Sequence, residues 1–207
     1  MAKAARLFLC VLLLAGVSLA QEGTPKAEIF GGYSYMRFQP RFSVLGIDVT
    51  PDSANLNGWN ASLTGNFNRF FGITADFAGH YGSPTIGFGG IGLPGSLASA
   101  DVSNYTFLFG PQVGLRTGKL RPFAHALFGA GHIKVSPNVL GFSLGSLGLS
   151  DSDTSWAMAL GGGVDYALGD TFSVRFAQLD WTRTNFFDTN QNHFRYSGGI
   201  VLNLGRH

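Results

Sequence analysis

From about residue 27 onward the chain alternates apolar and polar residues in runs of about ten, the length of a half-buried strand. The clearest run is Trp59 to Phe67, where Trp59, Ala61, Leu63, Gly65 and Phe67 interleave with Asn60, Ser62, Thr64 and Asn66. A period of two sends one set to each face of a strand. The polar set is too uniform for a buried soluble core, so the pattern predicts oil on one side and an enclosed polar interior on the other. A bilayer imposes that arrangement. Lipid offers no partner to backbone N–H and C=O groups, and among sheets only a closed one pairs them all.

The alternation predicts eight strands, at about 27–37, 58–68, 71–81, 103–115, 121–134, 155–167, 171–181 and 193–205. Long connections follow strands one, three, five and seven, and tight turns near Arg69-Phe70, Thr117-Gly118-Lys119 and Leu168-Gly169-Asp170 follow two, four and six. The expected fold is therefore an all-β, eight-stranded antiparallel transmembrane barrel, an up-and-down meander with turns at the periplasmic end and loops outside. A soluble sandwich has no reason to alternate its connections in this way. Strand direction then puts Trp59, Trp156 and Trp181 at one level, an expected outer aromatic girdle with Tyr81, Tyr105 and Tyr196 nearby. Phe70, Phe71, Tyr166 and Phe172 are the inner counterpart.

The same parity assigns Ile73, Phe77, Phe107, Phe109, Val113, Leu160, Val164 and Ile200 to lipid. It assigns Thr74, Asp76, His80, Asn104, Thr106, Gln112, Asp165, Arg195, Ser197 and Asn203 to the interior. Two strands conflict with themselves: strand five puts His125 and His132 on opposite parities, and strand seven does so with Arg175 and Asp180. A bulge, or a polar group beyond the hydrocarbon edge, reconciles either case.

Composition narrows the class further. Lys3 and Arg6, the apolar run Leu7 to Val17 and the small residues Ser18-Leu19-Ala20 read as a secretory leader over residues 1–20, leaving a barrel domain at 21–207. The one cysteine, Cys10, lies inside the leader, so a mature chain has no disulfide and no thiolate chemistry. Of 14 basic residues two leave with the leader, and the remaining 12 balance 12 acidic ones, which argues against a nucleic-acid partner. Charged residues are 13%, about half the usual soluble share. Together with 30 glycines and 19 phenylalanines, that favours a sheet facing lipid.

The leader, the first strand AEIFGGYSYMRF, the eight-strand count and the closing strand FRYSGGIVLNL resemble the small eight-stranded outer-membrane barrels of Gram-negative bacteria, the OmpA-transmembrane-domain and OmpX-like group. The resemblance implies secretion through the periplasm, residence in the outer membrane and contact with its lipid. It also implies assembly by the barrel-assembly machinery. Ser197, Gly199, Leu202 and Leu204 resemble the assembly signal of the last strand, although the chain closes on Gly205-Arg206-His207 where the family commonly has an aromatic residue.

Candidate chemistry is sparse. Inside an eight-stranded barrel side chains fill the lumen, and charges there must pair. Glu28, Asp76 and Asp165 are expected to meet Arg175 and Arg195, with Arg116 near the inner mouth. No histidine pair has metal-site spacing, and His80, His132 and His193 are expected as solvated residues at the outer rim. His80 with Ser83, or His193 with Asp188, is the arrangement a lipid A-modifying enzyme would need, without an orienting third group. The outer connections are unusually apolar at Phe42 to Val49, Thr85 to Leu97 and Asn138 to Leu149. These features predict a monomeric barrel without enzyme activity or cofactor, serving envelope structure or surface recognition through four loops. A narrow solute pore and a lipid A-modifying enzyme are the alternatives.

Overall fold

The computed structural model describes residues 24–38, 42–44, 47–49, 54–83, 98–116, 118–139, 142–143, 151–186 and 190–205. Residues 1–20, the expected leader, lie outside this set. The strands are β1 (Ala27–Phe38), β2 (Ala54–Asn66), β3 (Phe71–Gly82), β4 (Ala98–Gly114), β5 (Leu120–Val139), β6 (Asp151–Ala167), β7 (Phe172–Thr184) and β8 (Gln191–Leu204). Each pairs antiparallel with its neighbours in sequence, and β8 returns to pair with β1, closing an eight-stranded barrel. Short strands Phe42–Val44 and Ile47–Val49 pair with each other between β1 and β2, and Phe142–Ser143 pairs with the end of β5.

Parity holds along the walls, with one break on β7. On β2, Asn60, Ser62, Thr64 and Asn66 are buried while Trp59, Leu63, Gly65 and Phe67 are exposed. The exposed large apolar residues, among them Ile29, Phe77, Phe107, Phe109, Phe128, Leu160, Phe172, Leu179, Phe194 and Ile200, encircle the outside. A surface that apolar on all sides would aggregate in water and is stable against lipid.

At the turn end the strand boundaries fall where the pattern puts them. The Asn68 side chain accepts from Phe70 N and Phe71 N at 2.8 and 2.9 Å, closing the β2–β3 turn. Gly118 takes φ 83° between β4 and β5, a conformation that glycine adopts without a Cβ penalty. At the loop end the strands run further than predicted: β2 starts at Ala54, β4 at Ala98 and β6 at Asp151, and β5 continues to Val139. The 20 residues of β5, at roughly 3.3 Å each and about 40° of tilt, rise about 50 Å, twice an apolar band of about 25 Å. Beyond that band both faces meet water, so the ladder continues after the alternation has stopped. The outward polar residues Arg37, Asn55, Asn57, Lys134 and Ser152 belong to this part.

The conflict on β7 is resolved by a bulge. Register shifts by one residue between Arg175 and Gln178 against β8, and between Arg175 and Ala177 against β6. Phe176 and Ala177 both face outward, so Arg175 and Asp180 both point into the lumen. On β5 there is no register shift: His125 is buried inside, and His132 faces outward near the loop end, where its Nδ1 lies 2.7 Å from Thr154 Oγ1. The β1–β8 seam is glycine-lined. A Cβ on Gly199 would sit 2.3 Å from the Gly31 carbonyl oxygen, so only glycine allows this approach.

Candidate functional site: the filled lumen

The period-two pattern sends every second residue of eight strands into a space about as wide as the side chains themselves. What fills it here is a connected ionic network. Arg175 holds Asp165 through two bonds, Nε to Oδ1 at 2.7 Å and Nη2 to Oδ2 at 3.0 Å, and its Nη1 donates to Gln178 Oε1 at 2.7 Å. Gln178 Nε2 donates to Asp180 Oδ2 at 2.8 Å. Arg195 Nε and Nη1 then bind Asp180 Oδ2 at 2.9 Å and Asp76 Oδ1 at 2.7 Å. Asn60 Nδ2 reaches the other oxygen of Asp76 at 2.8 Å, and His125 Nε2 lies 2.7 Å from Asp180 Oδ1. The network thus spans β2, β3, β5, β6, β7 and β8.

Below it, towards the turns, Arg116 Nε donates to Glu28 Oε1 at 2.8 Å, and Asn66 Nδ2 donates to the same oxygen at 2.9 Å. Glu28 therefore binds neither Arg175 nor Arg195, because the stagger of the strands brings the end of β4 over it. A cavity of about 10 Å³ beside Glu28, Gln112, Arg116 and Asp165 has room for roughly one water. The Arg175 guanidinium is also clamped between the rings of Phe30 and Phe123, at 4.3 and 4.2 Å from their centroids. With Phe186 they are the three buried phenylalanines among the described residues, and as cation-binding faces they suit a charged lumen.

Above the network lies a layer of hydroxyls and histidines. Ser34 Oγ sits 2.8 Å from His80 Nε2 and 2.9 Å from Ser197 Oγ, and Thr184 Oγ1 is 3.3 Å from His193 Nε2. The expectation of solvated rim histidines is corrected here for His80 and His193, which point into the lumen and are fully buried; beside His80, β2 and β4 run on past it to Ala54 and Ala98. His80 also does not meet Ser83, which instead hydrogen-bonds Asp101 at the rim. Asp188 lies outside the described residues. Among those described, no group of three or more metal-ligating side chains comes together.

The structure brings Asp76, Asp165, Arg175 and Arg195 into one network and leaves Glu28 outside it. Asp180, His125 and Gln178 belong to it as well, and only the parity conflict on β7 hinted at the first. Trp59 and Trp156 are exposed on the outer wall, and Trp181 faces outward, half-buried. Ser197 faces the lumen, and Gly199 lies on the β1–β8 seam. Leu202 and Leu204 face out. The apolar stretch Thr85 to Leu97 lies outside the described residues, as does most of Asn138 to Leu149; of Phe42 to Val49 the paired strands Phe42–Val44 and Ile47–Val49 are described as backbone.

A closed meander with an apolar exterior, a charge-paired interior and short turns at one end defines a small transmembrane barrel of the outer-membrane class. The chain belongs to the family described as outer membrane protein β-barrel domain, which matches residues 7–207. Solved structures share the fold. Ail, the attachment invasion locus protein of Yersinia pestis, in complex with the heparin analogue sucrose octasulfate, is 20% identical, with a TM-score of 0.53 over 86% of this chain and 99% of that one. Neisserial surface protein A is 15% identical, with a TM-score of 0.56 over 86% and 97%. OprG from Pseudomonas aeruginosa is 13% identical, with a TM-score of 0.50 over 89% and 98%. No curated protein matches the chain. The family and these neighbours are bacterial outer-membrane proteins.

Proposed function

We propose that this barrel is an anchor that presents its outer connections for recognition or adhesion at the cell surface. The observation that carries the reading is the lumen, where charged and polar side chains from six strands bind one another. Groups engaged in this way are not free to solvate a passing ion, and an eight-stranded wall leaves no room beside them. Function then falls to the loop end, where the strands rise above the apolar band and the connections carry the apolar sequences Thr85 to Leu97 and Asn138 to Leu149. Exposed apolar segments tend to mark binding surfaces. Ail, named for attachment, is an instance of this fold in such a role.

In this reading the leader is removed in the periplasm, and Ser197, Gly199, Leu202 and Leu204 guide assembly. The protein stands as a monomer, with Trp59, Trp156 and Trp181 anchored in the outer interface. Deleting Thr85 to Leu97 tests it. The expected result is a barrel that still shifts in gel mobility on boiling, on cells that no longer adhere to host cells or matrix. Adhesion equal to that of the intact protein would remove the assignment.

A further inference from the structure

At the loop end the lumen changes chemistry. Met36 from β1, Leu56 from β2, Val102 from β4 and Ile133 from β5 turn inward and pack with Phe186, which lies two residues beyond the end of β7. Phe186 is 0% exposed. A residue in a rim connection ordinarily meets water, whereas this one folds back and lowers its ring into the barrel. Gly131 on β5 makes the space for it, since a Cβ there would lie 2.8 Å from Phe186 Cζ. The five side chains come from four strands and one connection, so the apolar layer reaches across the lumen.

Directly beneath it are the groups of the hydroxyl and histidine layer. Asn104 Nδ2 touches Met36 Sδ at 3.5 Å, and His80 Nδ1, Asn104 Oδ1, Thr106 Oγ1 and Thr182 Oγ1 are buried polar atoms without a protein partner. Such atoms are satisfied by water. An apolar layer set over a layer of buried polar groups has a definite physical effect. An ion crossing it must leave its water with no compensating dipole, and a narrow apolar constriction excludes water altogether.

We infer that Phe186 is the stopper of the outer mouth, completing an apolar seal with Met36, Leu56, Val102 and Ile133 that separates the exterior from the polar layer below. Because the ring is carried by a connection and takes no part in the barrel ladder, it can be removed without unpairing a strand. The inference concerns the barrel itself and holds whatever the outer connections recognise.

The cysteine content makes a direct test possible, because the only native cysteine is Cys10. Asn104→Cys places a thiol beneath the apolar layer, and a charged, membrane-impermeant thiosulfonate added to intact cells reports access from outside. Ser152→Cys, exposed at the loop end of β6, is the positive control. With Phe186 present, Cys at 104 is expected to stay unmodified while the control reacts. Adding Phe186→Ala is expected to raise the labelling rate by an order of magnitude or more, and Phe186→Leu is expected to keep it low. The boiling-dependent gel shift identifies the folded protein in each sample. Fast labelling with Phe186 in place would overturn the proposal, as would continued protection in a folded Phe186→Ala barrel.

Discussion

Arg195 joins the two carboxylates at the centre of the lumen, and Arg195→Met removes the charge while keeping most of the buried volume. The guanidinium is 1% exposed and holds Asp76 and Asp180, each with an oxygen 2.7 Å away. Without it both acids remain buried. Asp76 keeps the Asn60 amide, and Asp180 keeps Gln178 and His125, so neither is left bare. Removing one partner of a buried ion pair costs about 3–5 kcal/mol. The second orphaned acid adds to that figure and the remaining donors subtract from it, so we expect a loss within the same range of about 3–5 kcal/mol. The assay is urea unfolding of protein folded into lipid vesicles, followed by tryptophan fluorescence. The triple variant Asp76→Asn, Asp180→Asn, Arg195→Met buries no unpaired charge at this point and should be more stable than Arg195→Met alone. Stability of Arg195→Met within about 0.5 kcal/mol of the native protein, or a triple variant no better than the single one, would show that the Arg195 pairs do not stabilise the lumen.

Two other perturbations follow from backbone geometry. Deleting Ala177 removes the extra residue of the β7 bulge and turns either Arg175 or the Gln178–Asp180 pair towards lipid. An arginine at the bilayer midplane costs about 2–4 kcal/mol, and the boiling-dependent gel band should disappear, whereas Phe176→Leu should retain it. At the seam, Gly199→Ala should reduce the yield of folded barrel in a refolding assay, because the new Cβ meets the Gly31 carbonyl oxygen at 2.3 Å. Gly31→Ala should be tolerated, since a Cβ there meets nothing within 4 Å.

Which features were legible from sequence depended on whether they were local. The walls of β2 and β3 could be read because each residue states its own face, and no neighbouring strand is needed to place Thr74 or Asp76. The β7 bulge showed only as a contradiction between Arg175 and Asp180, since the extra residue has no composition of its own. Partners across the lumen were harder. Arg195 and Asp76 are 119 positions apart, and which arginine meets which acid is set by strand stagger, which no single strand encodes. Parity alone consequently groups Glu28 with Arg175 and Arg195, although Arg116 takes it. His80 and His193 were assigned to the rim because alternation marks only the part of a strand inside the membrane. Phe186 was invisible for a related reason: it lies in a connection, where period two does not apply, and its burial depends on the space at Gly131.

Whether side chains close the lumen is read from the conductance of the purified full-length barrel in planar bilayers. A closed lumen gives no steady ion-selective channel. Reproducible open levels that change with Arg195→Ala would contradict it and place the ion path through the network itself.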